Sequence, residues 1–181
     1  MAKRTIKTVL VIMLMTIVSQ REGYAQRNTV GTSWSLSGIG ITYERNTSED
    51  TFAQVAIQAD LGETFFGRAA CPGVRGSFTW NIVFAQVETT NKNPVRFFAG
   101  PGLAAGICKD LNGPDGVIFG LKGKVGLDCQ FARSVNLSVS LVPTLGFHVS
   151  KADGNVIICT YKYGLLQTIL PEIGISYRFG R

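Results

Sequence analysis

The chain has 181 residues, a net charge of +6, a hydrophobic fraction of 45%, four cysteines and one histidine. Its mean hydropathy is +0.19, high for a soluble all-β chain. The basic residues form no stripe with interleaved aromatics, which excludes a nucleic-acid footprint. One histidine without a Cys-x-x-Cys spacing excludes a zinc set.

The N-terminus has three parts. Lys3, Arg4 and Lys7 are basic, Val9 to Val18 is apolar apart from Thr16, and Gly23-Tyr24-Ala25 offers small residues for cleavage. This is the layout of a secretory signal peptide. The apolar run is about half of the roughly 20 residues a membrane-spanning helix needs. Cleavage after Ala25 is expected, with 26–181 as one mature domain. Lys3, Arg4, Lys7, Arg21 and Glu22 leave with the leader, so +6 becomes +3.

The mature part reads as strands separated by turn chemistry, with no amphipathic helix. Predicted strands are 33–44, 51–63, 73–86, 95–107, 117–131, 135–149, 156–165 and 170–179. Clusters of Gly, Pro, Asn and Asp separate most of them, as at Asn91-Lys92-Asn93-Pro94 and Asn112-Gly113-Pro114-Asp115-Gly116. The connection near Gln167-Thr168 has no such marker. Apolar and polar residues alternate: Val74, Phe78, Trp80 and Ile82 against Arg75, Ser77, Thr79 and Asn81, for example.

Alternation fits a soluble barrel with its apolar face inward, and equally a membrane barrel with that face toward lipid. Three features favour the membrane. The predicted strands run about 10–15 residues, where soluble strands commonly have 5–6. Spanning strands need roughly 9–11. Aromatics such as Tyr43, Phe84, Phe119, Phe131, Phe147 and Phe179 lie toward strand ends. The expected fold is therefore all-β, an antiparallel up-and-down transmembrane barrel of about eight strands. Such a barrel is just wide enough to be filled by side chains. Its lumen-facing residues mix signs: Asp60, Asp128 and Glu172 with Arg75, Lys122, Lys124 and Arg178. A plugged, non-conducting lumen follows.

The loop sides do not come out as expected. With these eight strands, the crisp Ala132-Arg133-Ser134 turn falls away from the termini, whereas short connections belong on the terminus side. Treating 156–179 as one strand corrects the sides but requires an extra strand within 26–36.

The last segment is Glu172-Ile173-Gly174-Ile175-Ser176-Tyr177-Arg178-Phe179, again alternating. Its polar-x-Gly-x-x-aromatic-x-aromatic order resembles the C-terminal signal that outer-membrane barrels present to their assembly machinery, carried here by Glu172, Gly174, Tyr177 and Phe179. Together with the leader, the Phe97-Phe98-Ala99-Gly100-Pro101-Gly102-Leu103 strand and the Ala-Arg-Ser hairpin, the chain resembles small outer-membrane β-barrel proteins of the Bacteroidetes type. The resemblance implies residence in the cell outer membrane, contact with its lipids and lipopolysaccharide, and delivery by the barrel-assembly machinery. Members of such a family do diverse things, so fold alone does not assign the function; the expected role is structural, adhesive or envelope-assembly, with no cofactor and no enzymatic activity.

Three smaller signals remain. His148-Val149-Ser150 is similar to the His-x-Ser of outer-membrane lipid A deacylases, in which the histidine would activate the serine. The acid that would orient His148 is missing, since Asp153 falls in a turn and Lys162 stands where an acid is wanted. Cys71 and Cys108 fall in connections at one end of the barrel and are the preferred disulfide pair. Gly38-Ile39-Gly40 and Gly100-Pro101-Gly102 open no helix and read as close backbone approaches rather than phosphate loops. The alternatives are a soluble periplasmic barrel binding an apolar ligand and a lipid A hydrolase using His148 and Ser150.

Overall fold

A computed structural model describes residues 28–36, 38–61, 71–89, 93–109, 115–132, 134–152, 155–160 and 169–179. The predicted leader lies outside these residues. Ten strands occur among them: β1 (Asn28–Ser35), β2 (Gly38–Asn46), β3 (Thr51–Asp60), β4 (Cys71–Glu88), β5 (Pro94–Lys109), β6 (Asp115–Ala132), β7 (Val135–Leu141), β8 (Thr144–Ala152), β9 (Asn155–Thr160) and β10 (Glu172–Phe179). All pairings are antiparallel. The order β5-β4-β3-β2-β1-β10-β7-β6, with β5 also paired to β6, closes the wall into an eight-stranded up-and-down barrel.

Ten segments fill eight positions because two positions are each shared by two strands. Strand β6 pairs through its C-terminal half with β7 and through its N-terminal half with β8. Val125 faces Leu141 and Lys122 faces Thr144, so the register runs on unshifted between them. The interruption is Pro143, which has no N–H to give the ladder. Gly123 N still donates to the Pro143 carbonyl at 2.8 Å. In the same way β9 pairs with β8 and β10 with β7, so both belong to the last wall position.

These pairings correct the predicted boundaries. The segment 33–44 is not one strand. The chain reverses between Ser35 and Gly38, which face each other across a hairpin. The segments 156–165 and 170–179 are not neighbouring strands, since β9 and β10 occupy one position. One strand gained at the start and one lost at the end leave the number at eight but invert the side of every connection between them. The strand ends Asn46 and Thr51, Glu88 and Pro94, and Ala132 and Val135 now share an end of the barrel with Asn28 and Phe179, so the connection after Ala132 is on the terminus side. The tight reversal after Asn46 is held by Thr47 N and Thr47 Oγ1, both bonded to the Thr51 carbonyl, at 2.9 and 3.1 Å.

The strands are staggered. From Thr32, the ladder through Ile41 and Ile57 reaches β4 at Gly76, while the ladder through Ile175, Leu137, Cys129 and Val95 reaches β4 at Val87. That offset tilts the strands in a closed barrel. A bulge between Val83 and Ala85 adds one residue to it. Where β5 runs against β4, a Cβ on Gly100 would strike the Trp80 carbonyl and one on Gly102 the Phe78 carbonyl.

The distribution of side chains is inverted relative to a water-soluble fold. Ile41 is 66% exposed and Phe131 77%, whereas Asn81 is 0% and Gln58 2%. The outer wall is a belt of Val, Leu, Ile, Phe and Trp, and the interior is lined mainly by polar and charged residues.

Candidate functional site

The barrel interior holds the densest chemistry in the molecule. Period-2 geometry sends every second residue inward, so each strand delivers its polar set. The network centres on Gln58 of β3. Its amide Nε2 donates to Ser33 Oγ at 2.9 Å and to Glu172 Oε2 at 2.7 Å, and its Oε1 accepts from Arg75 Nη2 at 3.0 Å. Arg75 also lies 3.8 Å from Asp60. Lys124 joins this layer to the next. Its ammonium is 3.5 Å from Glu172 Oε1 and donates to Gln54 Oε1 at 2.6 Å. Gln54 Nε2 in turn donates to Glu44 Oε1 at 2.7 Å. Lys122 donates to Ser77 at 2.8 Å.

A second cluster lies toward the termini. Arg96 forks onto Asp128, with Nε to Oδ1 at 3.0 Å and Nη2 to Oδ2. The guanidinium also stands 5.8 Å from the centre of the Phe52 ring, and Phe52 meets Phe98 edge-on at 5.2 Å. Lys124 sits 5.8 Å over Phe98. Such cation–ring contacts gain strength when water is excluded. Arg178 donates to Gln130 at 3.5 Å.

The interior therefore gathers Asp60, Arg75, Lys122, Lys124 and Asp128, each at most 6% exposed, with Arg178 at the terminus end. Glu172, read in sequence as part of a terminal signal, has its carboxylate in the centre of the interior. Gly174 also faces inward, while Tyr177 and Phe179 stand on the outer wall. Sequence reasoning missed Glu44, Arg96, Phe52 and Phe98. Arg96 and Phe98 share parity with Gly100 and Gly102, and that alternation was the available signal.

His148 faces inward on β8, half-buried, with its ring against Gly116 of β6, where a Cβ would strike Nε2. The side chains of Ser150, Cys71 and Cys108, and all of Asp153 and Lys162, lie outside the described residues. Cys129 carries a free thiol. Among the described residues, no cluster of His, Cys, Asp and Glu could hold a metal ion.

No family model matches the chain, and no curated protein does. Solved structures do. The N-terminal β-barrel domain of Pseudomonas aeruginosa OprF superposes with a TM-score of 0.54 at 12% identity, over 87% of this chain and 100% of that one. A major outer membrane protein of Thermus thermophilus gives 0.49 at 11% identity, over 86% and 100%. Neisserial surface protein A gives 0.41 at 12% identity, over 85% and 94%. The first of these likenesses is one of fold: an eight-stranded β-barrel domain.

Proposed function

We propose that this chain is an integral outer-membrane β-barrel of the Bacteroidetes type, plugged by its own interior side chains, with a structural, adhesive or envelope-assembly role rather than a catalytic one. The observation that carries the reading is the inverted distribution of side chains. A wall with Ile41, Leu121 and Phe131 outward and Gln58, Asn81 and Lys124 inward is stable only where its outer surface meets hydrocarbon. Closure supports the same reading, since in lipid every backbone polar group needs a partner within the wall. In the soluble alternative the same belt would lie in water.

The plug follows from reach. Gln58 and Lys124 cross the lumen to partners three strand positions away, and Arg75 braces Gln58 from the adjacent strand. In this reading outer-membrane lipids and lipopolysaccharide contact the belt, and the assembly machinery receives β10. The hydrolase alternative is not favoured, because His148 points into the barrel and lipid lies outside it.

Planar-bilayer recording of the refolded chain tests the plug. Small or no steady conductance is expected, and removing the long side chains in a Gln58→Ala, Lys124→Ala double variant should raise it. A large, steady conductance in the parent chain would overturn the plugged reading.

A further inference from the structure

The outer wall is not evenly bulky. Across its middle runs an open hollow of about 400 Å³, lined by Ala99, Gly100, Pro101, Gly123, Val125 and Pro143, and by Lys124, whose ammonium is turned inward to Gln54. Its floor is in register: Pro101 of β5 faces Gly123 of β6, which faces Pro143 between β7 and β8. Each stands at the middle of its strand position, between residues 94 and 109, 115 and 132, or 135 and 152. Side chains flank it on both sides. Leu103, Leu121 and Leu145 form one row; on the other side stand Ala99, Val125 and Leu141, with Leu127 and Val139 beyond them. On β4 the step opposite Pro101 carries the outward Trp80, 42% exposed.

Two of the three floor residues are prolines, Pro101 within β5 and Pro143 at the β7–β8 junction, where a missing N–H weakens the ladder. Bulkier β-branched residues would complete both the ladder and the belt, so the sequence forgoes packing and hydrogen bonding at one line across the wall. The result is a shallow, open trough at mid-height of the apolar belt, with a row of leucines along one side. A trough of that form fits a flexible unbranched rod better than a globular side chain.

We propose that this hollow is a lipid-binding site that retains one acyl chain of a membrane lipid across β5, β6 and the β7–β8 junction. The proposal rests on the outer-membrane reading and deepens it, because the hollow is continuous with the belt assigned to lipid. The retained chain lies along Pro101, Gly123 and Pro143 and ends against Trp80. It repacks a line of the wall that the protein's own side chains leave thin.

The two tryptophans, Trp34 and Trp80, make the test direct, since both are on the outer wall and Trp80 stands on β4 beside Pro101, whereas Trp34 lies on β1. The refolded chain in lipid-free detergent micelles, as Trp34→Phe (reporting Trp80) or Trp80→Phe (reporting Trp34), would be titrated with a phosphatidylcholine brominated in mid-chain. Trp80 emission should fall along a saturating curve at lipid fractions that barely quench Trp34. Filling the hollow by Gly123→Leu, or from its other side by Ala99→Leu, should return Trp80 to the Trp34 curve. A Cβ on Gly123 approaches Pro143 Cγ at 3.2 Å, so Ala99→Leu carries the test if Gly123→Leu does not fold. Coincident curves for the two tryptophans would overturn the site. A shielded Trp80 with cross-linking between copies through β5 would overturn it in favour of a second copy. Quenching of neither tryptophan at any lipid fraction would overturn the outer-membrane reading itself.

Discussion

The inner faces of β3–β6 and of β1, β10 and β7 line one lumen by opposite means. The first arc presents Gln54, Gln58, Asp60, Arg75, Arg96, Lys122, Lys124 and Asp128. The second presents Thr29, Gly31, Ser33, Gly174, Ser176, Asn136, Ser138 and Ser140, with Glu172 and Arg178 at the two ends of β10. Long side chains on one side require small ones on the other, because an eight-stranded barrel has room for only one set. The arcs meet where Gln58 reaches Ser33 and Glu172. Neither arc is fully satisfied: among the described residues, both polar atoms of Asn136 and the Ser140 hydroxyl on the second arc, and Asn81 Oδ1 on the first, have no protein partner. Buried groups of that kind are places for ordered water. The charged arc thus supplies the cross-links, and the small arc supplies the space they enter.

Breaking the charged arc should cost most. Lys124→Met removes the cation shared by Glu172 and Gln54, and should destabilise the barrel by about 3–5 kcal/mol in urea unfolding. Adding Glu172→Gln should return part of that loss, because the stranded carboxylate is then neutral. If the double variant is no more stable than Lys124→Met, the pairing across the arcs is not what matters.

The outer faces of the two arcs should behave alike, which isolates the interior as the difference. Ile57→Arg on β3 and Ile175→Arg on β10 each place a charge in the belt, and each should cost about 2–4 kcal/mol in lipid vesicles. Similar losses would sharpen the comparison, and a harmless change on either strand would remove that strand from lipid.

Arg96→Ala breaks the fork onto Asp128 and the contact over Phe52. It should cost about 1.5–3 kcal/mol, the scale of hydrogen bonds to charged groups. At the other extreme, Ser140→Ala deletes a hydroxyl with no protein partner and should change stability by no more than about 0.5 kcal/mol. A loss near that of Arg96→Ala would mean that ordered water at Ser140 is a structural member of the network.

Much of this architecture could be read from alternation alone. A period of two separates Val74, Phe78 and Trp80 from Arg75, Ser77 and Thr79 without any knowledge of partners. The errors fell where parity changes. Trp34 and Leu36 are even and outward, whereas Ile39, Ile41 and Tyr43 are odd and outward, so the flip near Gly38 marks the hairpin that a single strand over 33–44 concealed. Proline misleads in the opposite direction: Pro143 interrupts the ladder but not the parity, and β7 and β8 stay in one position. The interior pairings were not legible, because the stagger of the whole wall sets them. Lys124 finds Gln54 across 70 residues and Gln58 finds Glu172 across 114. The hollow on the outer wall was hidden for the same reason, since Pro101, Gly123 and Pro143 become neighbours only once three registers are fixed.

The most direct test of the central claim is gel mobility of the outer-membrane fraction, with and without boiling in detergent. A closed membrane barrel keeps its backbone hydrogen bonds in detergent until heated, so the protein should sit in that fraction and migrate as a compact band that shifts on boiling. Release without detergent, with no shift on boiling, would contradict the account and make the apolar belt a surface that something other than lipid must cover.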